Sequence, residues 1–271
     1  MLPYPIGFPM PPLTAILISY NEELDLPRAL SSLAGIADEI ILVDSGSTDR
    51  TCEIARTFGA RVYARKLDNF AEQKNYAASL STNDWILCID CDHELSPELR
   101  ASMLAWKQQN PGKNGYEILL LTNYLGGWIR HSGWYPEFKL LLFRRDQGRF
   151  VSALHERVQV EGPVGRLNGH LFHYTIRSLA EHKAKLDAMS TMAAEDMFAH
   201  GRKSWRAAMI FASPWTIVQR LVFQFGILDG RRGWLIAWLS GKYIYLKYRK
   251  LGRLLAGEKL AHRSWPSPGE A

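Results

Sequence analysis

The chain has 271 residues, of which 47% are apolar, so it can form one large folded domain or two small ones. Its three cysteines are too few for a disulfide framework, which argues against a small disulfide-stabilised secreted protein and predicts a reducing compartment. The net charge of +6 is uneven: residues 1–200 carry 20 basic and 24 acidic side chains, whereas residues 201–271 carry 13 basic and 3 acidic ones. The charge of +10 on the last segment predicts an acidic surface as its partner.

The first 110 residues alternate between short apolar runs and segments with helical spacing. Each apolar run is typical of a buried strand, and turn or N-cap residues precede the helical segments. Ser96 and Pro97, for example, predict the N-cap and first position of a helix after the fourth run. The predicted strands cover 14–19, 39–43, 60–64 and 85–89, and the predicted helices cover about 26–33, 50–58, 70–80 and 97–109.

The pattern changes after residue 115, where apolar runs follow one another without helices between them. Four strand–helix repeats with short links predict a parallel sheet covered on both faces, and the later runs predict a mixed or antiparallel extension of it. A long helix is expected over 178–200. The later predicted strands cover 116–122, 138–143, 157–160 and 169–174.

Polar side chains follow three of the predicted parallel strands. Asn21 and Glu22 follow the first strand, Asp44 follows the second, and Asp90 and Asp92 follow the fourth. The carboxyl ends of parallel strands lie at one edge of the sheet, where open α/β sheets bind their ligands. Paired carboxylates at a buried strand end need a cation or hydrogen bonds. Hard oxygen ligands suit Mg²⁺ or Mn²⁺, which in turn bind a diphosphate.

Four motifs, in this order along the chain, resemble glycosyltransferase family 2. Members of that family have the GT-A fold and use nucleotide-diphosphate sugars. The resemblance therefore implies an α/β, GT-A type fold with a mainly parallel sheet covered by helices, followed here by a C-terminal helical extension. The similarity is close over about residues 13–100. The motifs lie at 18–23, 38–51, 73–75 and 90–92.

Three later segments, 133–136, 154–156 and 226–230, are more loosely similar to a bacterial branch of this family. That branch includes lipopolysaccharide inner-core β-1,4-glucosyltransferases. The chain departs from the family pattern at two positions. Cys91 separates the two aspartates, where a small residue such as alanine is common, and His93 follows them, where the branch often has an acid.

The resemblance implies a donor site at the sheet edge, with Mg²⁺ or Mn²⁺ as cofactor and a UDP-sugar as donor. His173 is a candidate third metal ligand beside Asp90 and Asp92, and a structural histidine is the alternative. The resemblance implies that Tyr20, Asn21 and Glu22 lie beside the nucleotide and that Asp44 contacts the uracil or ribose. It also implies that Lys74 approaches the base or phosphates. Asp90 would contact the ribose or sugar, and Asp92 would bind the metal.

An inverting transfer also needs a base that removes the proton of the acceptor hydroxyl. Because the first half of the chain forms the donor site, we expect this base in the second half. Glu156 is the first choice, with Asp92 as the other catalytic residue, and Glu137 is the alternative base. Trp134 and Tyr135 are expected either to stack on an acceptor sugar or to form a packed aromatic pair.

These patterns predict an inverting glycosyltransferase that moves a sugar, expected to be glucose, from a UDP-sugar to a membrane-borne glycan such as lipopolysaccharide core. Transfer to a polyprenyl phosphate or another cell-envelope glycan is one alternative. A nucleotide-sugar-binding protein without transfer activity is another. A nucleotidyltransferase is less consistent with the sequence, because no glycine-rich basic loop follows the first strand. No nucleic-acid recognition motif is present.

We expect a catalytic domain over 1–200, with a nucleotide-sugar half over 13–110 and an acceptor half over 115–200. The tail over 201–271 mixes tryptophan and tyrosine with basic residues but lacks about 18 uninterrupted apolar residues. This composition suits an anionic membrane surface, and ordinary helices packed on the main domain are the alternative. The first twelve residues do not resemble a signal peptide. We therefore expect a cytoplasmic protein that is peripheral on the inner face of the cytoplasmic membrane.

Overall fold

The computed structural model is an α/β structure, and it describes residues 10–109, 111–151 and 156–261. Its strands are β1 (Leu13–Ser19), β2 (Glu39–Asp44), β3 (Arg61–Ala64), β4 (Trp85–Cys88), β5 (His93–Leu95), β6 (Gly115–Tyr124), β7 (Gly127–Trp128), β8 (Glu137–Arg144), β9 (Gly148–Val151), β10 (Arg157–Val160) and β11 (Val164–Ile176). Its helices are α1 (Leu26–Leu33), α2 (Thr51–Thr57), α3 (Phe70–Ser79), α4 (Pro97–Lys107), α5 (Leu179–Ala199), α6 (Arg206–Val218) and α7 (Gly230–Leu255).

The chain divides into two compact units, each made of two segments. The first unit comprises Met1–Leu120 and Glu137–His173, and the second comprises Leu121–Pro136 and Tyr174–Ala271. The compact units divide the chain at residues other than 200. They do not test the predicted functional division at residue 200, which stays a prediction. In particular, α5 belongs to the second unit rather than to the first.

The donor half of the first unit is the parallel sheet expected from the sequence. Strands β3, β2, β1 and β4 lie side by side in that order and all run in the same direction. Ser19 pairs with Asp44 in this register, so β1 and β2 end level with each other. The side chain of Ser96 accepts a hydrogen bond from the Leu99 N–H, which confirms the predicted N-cap of α4.

Helices cover both faces of this sheet. Side chains along β1 alternate between the two faces, and those on each face are buried in a separate apolar core. Leu13, Ala15 and Leu17 are buried in one apolar core, which also contains residues of α1 and α4. Ile16 points to the opposite face and is buried in a second core with residues of α3, including Ala71. A strand that is buried on both faces needs apolar residues at every position, as the sequence of β1 has.

The sheet becomes antiparallel beyond β4. There β8 pairs antiparallel with β4 and with β6, and β11 and β5 complete the order β3-β2-β1-β4-β8-β6-β11-β5. The predicted α/β fold class with a mixed extension and C-terminal helices is confirmed. The short strands β5, β7 and β9 were not predicted. Pairing of β5 with β11 places His93 opposite His173, which positions both histidines for the site described below.

The second unit has its own apolar core around the buried side chains of Tyr124, Ile129, Ile176 and Ile236. Helices α6 and α7 pack closely because Gly241 has no side chain: a Cβ atom there would lie 2.5 Å from Ile217 Cγ1. A π-helical turn, Gln219–Phe223, and a 3-10 turn, Gly226–Asp229, connect the two helices.

A partly buried lysine connects α7 to α5 in the second unit. Lys250 Nζ lies 2.7 Å from Asp187 Oδ1 and donates to the hydroxyl groups of Ser190 and Thr191. Within the described part of the chain, none of the helices is both long and apolar enough to cross a bilayer.

Candidate active site

Asp44 organises the turn that follows β2. Its carboxylate accepts four hydrogen bonds, from the Ser19 hydroxyl (2.9 Å), the Gly46 N–H (2.9 Å), and the Ser47 N–H (2.8 Å) and hydroxyl. Burial raises the pKa of Asp44, but these hydrogen bonds outweigh burial and hold its pKa below the usual value. Four bonds occupy the acceptor capacity of a carboxylate, so the predicted uracil or ribose contact would share or replace one of them.

Asn21 connects the loop after β1 to the loop after β2. Its backbone has a φ of 54°, a left-handed conformation that asparagine tolerates better than most residues. Its N–H donates to Ser47 Oγ (2.8 Å), and its side-chain oxygen accepts from the Thr48 N–H (2.8 Å). The neighbouring N–H of Glu22 donates to Thr51 Oγ1 (2.7 Å), while Tyr20 is exposed. The predicted nucleotide contacts of these three positions stay predictions.

Lys74 joins the two halves of the first unit at the carboxyl edge of the sheet. This buried ammonium group lies 2.9 Å from Asp90 Oδ1 and 3.1 Å from Glu156 Oε1. Burial by itself lowers the pKa of Lys74 and raises that of Asp90. The ion pair outweighs burial, so the pKa of Lys74 is raised and that of Asp90 is lowered, and both groups are charged at neutral pH.

Asp92 and His173 face each other on the same edge, with His173 Nε2 3.3 Å from Asp92 Oδ2. Desolvation raises the pKa of Asp92, but the charge and hydrogen bond of His173 dominate and lower it to about 2. Burial lowers the pKa of His173, yet the Asp92 carboxylate more than compensates, so this pKa lies above the usual value. The two side chains therefore stabilise each other's charged forms.

His93 lies behind both aspartates and has a different role from His173. Its Nδ1 accepts a hydrogen bond from the Asp90 N–H (3.0 Å), so in the neutral ring the proton is on Nε2. Nε2 is buried, lies 3.8 Å from Asp90 Oδ2 and 3.9 Å from Asp92 Oδ1, and has no hydrogen-bond partner among the described residues. Burial lowers the pKa of His93 to about 4, which keeps the ring neutral. His93 thus points an N–H group at the two carboxylates.

The residues at this edge fit a divalent cation. Ligand atoms of Asp92, His93 and His173 all lie within 4.8 Å of one another. The 3.3 Å between His173 Nε2 and Asp92 Oδ2 is close to the roughly 3 Å between adjacent ligands of a six-coordinate Mg²⁺. Asp92 and His173 are the better ligands: metal binding would displace the Nε2 proton of His173 that now faces Asp92, whereas the ring of His93 already accepts the Asp90 N–H at Nδ1 and keeps its proton on Nε2. Asp90 is held by Lys74, with 41% of its side chain exposed toward solvent.

The structure gathers most of the predicted site residues in the first unit, whereas Trp134 and Tyr135 belong to the second. The ring of Trp134 packs edge-on against Tyr124, with 5.4 Å between the ring centroids, and contributes to the core of that unit. The ring partner of Trp134 is thus Tyr124 rather than the Tyr135 of the predicted aromatic pair, and the predicted acceptor contact of Trp134 stays a prediction. The predicted acceptor contact of Tyr135 stays a prediction.

The two candidate bases have different surroundings. Glu156 is partly buried beside Lys74, whereas Glu137 is exposed at the start of β8, with its carboxylate 3.5 Å from Lys139 Nζ. The residue before Glu156 in its motif, His155, lies outside the described residues. No local sequence pattern indicates the role of His93, because that role depends on the pairing of β5 with β11.

Comparison with known proteins identifies the family of the chain. Residues 14–151 match the family model described as Glycosyl transferase family 2. An uncharacterized glycosyltransferase of Rickettsia prowazekii is 30% identical over 82% of this chain and 81% of its own length. The lipopolysaccharide core biosynthesis glycosyltransferase LpsC of Rhizobium meliloti is 27% identical over 94% of this chain and 99% of its own length.

Two solved structures are more distantly similar. One is glucosyl-3-phosphoglycerate synthase from Mycobacterium tuberculosis with Mn²⁺, UDP and phosphoglyceric acid: it has a TM-score of 0.45 and 19% identity, over 72% of this chain and 80% of that one. The other is S. aureus TarS 1-349 with UDP, which also has a TM-score of 0.45, with 14% identity over 91% of this chain and 92% of that one. The matching family model spans half of the chain, and the relatives span most of it. The protein is therefore a glycosyltransferase that belongs to glycosyltransferase family 2.

Proposed function

We propose that the protein transfers a sugar, with inversion, from a UDP-sugar to a membrane-borne glycan of the cell envelope, such as lipopolysaccharide core. The observation that carries this proposal is the cluster of Asp90, Asp92 and His173 with Lys74 and Glu156 at the carboxyl edge of the sheet. The name of the similar LpsC protein supports the choice of lipopolysaccharide core as acceptor. We further propose that glucose is the sugar.

Asp92 and His173, with Asp90 beside them, would hold Mg²⁺ or Mn²⁺. When bound, the cation would neutralise the charge that develops on the departing diphosphate. His93 holds the backbone of Asp90 through the hydrogen bond at Nδ1, and its Nε2–H faces the two carboxylates without bonding to either. Lys74 fixes Asp90 and Glu156 relative to each other, so that donor-side and acceptor-side carboxylates are positioned before substrate binds.

In the proposed reaction the acceptor hydroxyl oxygen attacks the anomeric carbon of the donor sugar. A new glycosidic C–O bond forms while the bond from the anomeric carbon to the diphosphate oxygen breaks, and UDP leaves with the bonding electron pair. The carboxylate of Glu156 accepts the hydroxyl proton. Because the acceptor is membrane-borne, we also propose a peripheral location on the inner face of the cytoplasmic membrane.

A donor panel tests the proposed reaction. The purified protein is incubated with UDP-glucose, UDP-galactose, UDP-GlcNAc or GDP-mannose, each with and without Mn²⁺ and each with lipopolysaccharide-core acceptor, and nucleotide release and product mass are measured. We expect release from UDP-glucose that requires the metal and increases with acceptor. Tight UDP binding without sugar transfer would contradict the proposal and favour a binding protein.

A further inference from the structure

Helix α6 in the second unit presents apolar side chains to solvent. Its solvent-facing positions recur every three or four residues, as expected for one face of a helix. Ile210, Phe211, Trp215 and Val218 occupy this face, and Phe211 exposes 72% of its surface. After Arg206 the helix contains no charged residue. A surface helix of a globular protein normally has the opposite arrangement, with its apolar face turned inward.

The opposite face of α6 is already occupied by α7. The Ser213 hydroxyl donates to the Gly241 carbonyl (2.8 Å), and Ile217 packs into the space left by the missing side chain of Gly241. This close contact between the helices determines which side of α6 is exposed. The outward apolar residues therefore cannot belong to the core of the second unit.

Exposed apolar side chains continue along the sequence through the connecting turns and into the first part of α7, and the ring of Phe223 in the first turn contacts that of Trp215 on α6. The turns are held in place by Asp229, whose carboxylate accepts from the Arg130 N–H (3.0 Å), the His131 N–H (3.1 Å) and the Ser132 hydroxyl (2.7 Å). We call the whole surface the apolar face. It comprises Ile210, Phe211, Trp215, Val218, Val222, Phe223, Phe225, Ile227, Leu228, Trp234 and Trp238.

The apolar face is larger than monomeric proteins usually leave uncovered. Each of its side chains is between 43% and 72% exposed. Together they present roughly 1,000 Å² of apolar surface, whereas the largest patch on a typical monomer covers about 300–600 Å². Such a surface marks a binding site for an apolar partner.

The charges around the apolar face indicate which partner it binds. Along one stripe of α7, the exposed residues change from Trp234 and Trp238 to Lys242 and Arg249. Between residues 206 and 255 there are nine basic residues, of which Lys250 is already paired with Asp187, and the side chain of the one acidic residue, Asp229, is only 4% exposed. Two copies packed face to face would bring the same basic residues together, which disfavours self-association. An anionic lipid surface complements both the apolar side chains and the basic rim.

We propose that the apolar face inserts into the interface of an anionic bilayer, with α6 and the connecting turns lying in the plane of the membrane. Tryptophan side chains suit this depth because they combine an apolar ring with a polar N–H group. The basic side chains of α7 then contact lipid phosphates. Apolar insertion differs from attraction by charge alone, because it persists when salt screens the charges. The inference depends only on the second unit and does not require the proposed transfer reaction.

Sedimentation of the full chain with vesicles tests this inference. Vesicles of phosphatidylcholine, with or without phosphatidylglycerol, are compared in low and high salt for the wild type and for Phe211→Ser/Trp215→Ser. We expect binding that needs phosphatidylglycerol, falls only in part at high salt, and is weakened at least about tenfold in the double variant. Leu104→Ser, at an exposed leucine of the first unit, is the matched control and should bind as the wild type does.

A second variant and a second measurement separate insertion from misfolding. Ile227→Ser/Leu228→Ser removes apolar side chains from the connecting turn and should weaken vesicle binding in the same way, with circular dichroism unchanged. Brominated lipids should quench tryptophan fluorescence in the wild type, and Trp238→Phe should reduce that quenching. Wild-type binding by both double variants would overturn the proposal. The proposal would also be overturned if the apolar face were buried in a dimer of this chain, or bound to another protein, instead of contacting lipid.

Discussion

At the scale of single residues, Lys74 explains how a site assembled from distant parts of the chain is kept in order. Its ammonium group contacts Asp90 and Glu156, which are 66 residues apart in the sequence. A buried lysine needs compensating negative charge, and here it has two carboxylates. The motif around Lys74 could be recognised in the sequence, but its two ion pairs could not, because they depend on how the strands bring the segments together.

The proposed base makes the sharpest prediction at this scale. Glu156→Gln should leave UDP affinity within about a factor of three and reduce transfer at least ~10²-fold, because a general base acts on the acceptor rather than on nucleotide binding. UDP affinity is measured by calorimetry, and transfer is measured with the acceptor. Glu137→Gln is the matched control and should transfer at nearly the wild-type rate. If Glu137→Gln loses transfer while Glu156→Gln keeps the wild-type rate, the assignment of Glu156 as the base is wrong.

At the scale of elements, the four strand–helix repeats were predictable because their signals are local. The N-cap at Ser96 and the apolar run of β1 are readable from a few neighbouring residues. Strand β5 was missed because His93–Leu95 is too short to show a strand pattern and pairs with residues far along the chain. The membership of α5 in the second unit reflects its packing on α7, which includes the Lys250–Asp187 ion pair and which no local pattern indicates.

Glu39 shows how one carboxylate holds several elements together at the opposite edge of the sheet. It accepts hydrogen bonds from Thr14 Oγ1 (2.6 Å) and from the Thr82 N–H (3.0 Å), and it pairs with Arg61. Burial raises the pKa of Glu39, but these hydrogen bonds outweigh burial and lower the pKa below its usual 4.5. The ionised form therefore stabilises the folded state above pH 4.5, and this contribution is lost as the pH falls through the folded-state pKa.

Glu39→Gln should accordingly reduce the free energy of unfolding by about 1.5–3 kcal/mol at pH 7, the usual contribution of hydrogen bonds to a charged group. The difference from wild type should shrink when urea unfolding is repeated at pH values below 4.5. Glu137→Gln, at an exposed glutamate that pairs with the nearby Lys139, should unfold as the wild type does at each pH. A difference for Glu39→Gln that stays constant with pH would show that the charge of Glu39 is not responsible.

At the scale of the whole molecule, charge and chemistry are divided between parts of the chain. The first 200 residues are slightly acidic and contain the carboxylate cluster, whereas the last segment is strongly basic and carries the apolar face. The basic, aromatic composition of that segment was visible in the sequence. The outward direction of its apolar side chains was not, because it follows from the close packing of α6 on α7.

The central claim is that the carboxylate edge of the first unit is a metal-dependent sugar-transfer site. Asp92→Asn tests it most directly, with nucleotide release measured from the preferred UDP-sugar over a Mn²⁺ titration and in EDTA. The account predicts an intact fold by circular dichroism and at least a ~10²-fold loss of turnover, because the substitution removes a ligand charge from the metal site. Asp68→Asn, at an exposed aspartate, should keep full activity. Wild-type turnover by Asp92→Asn, or by the unmodified protein in EDTA, would contradict the claim.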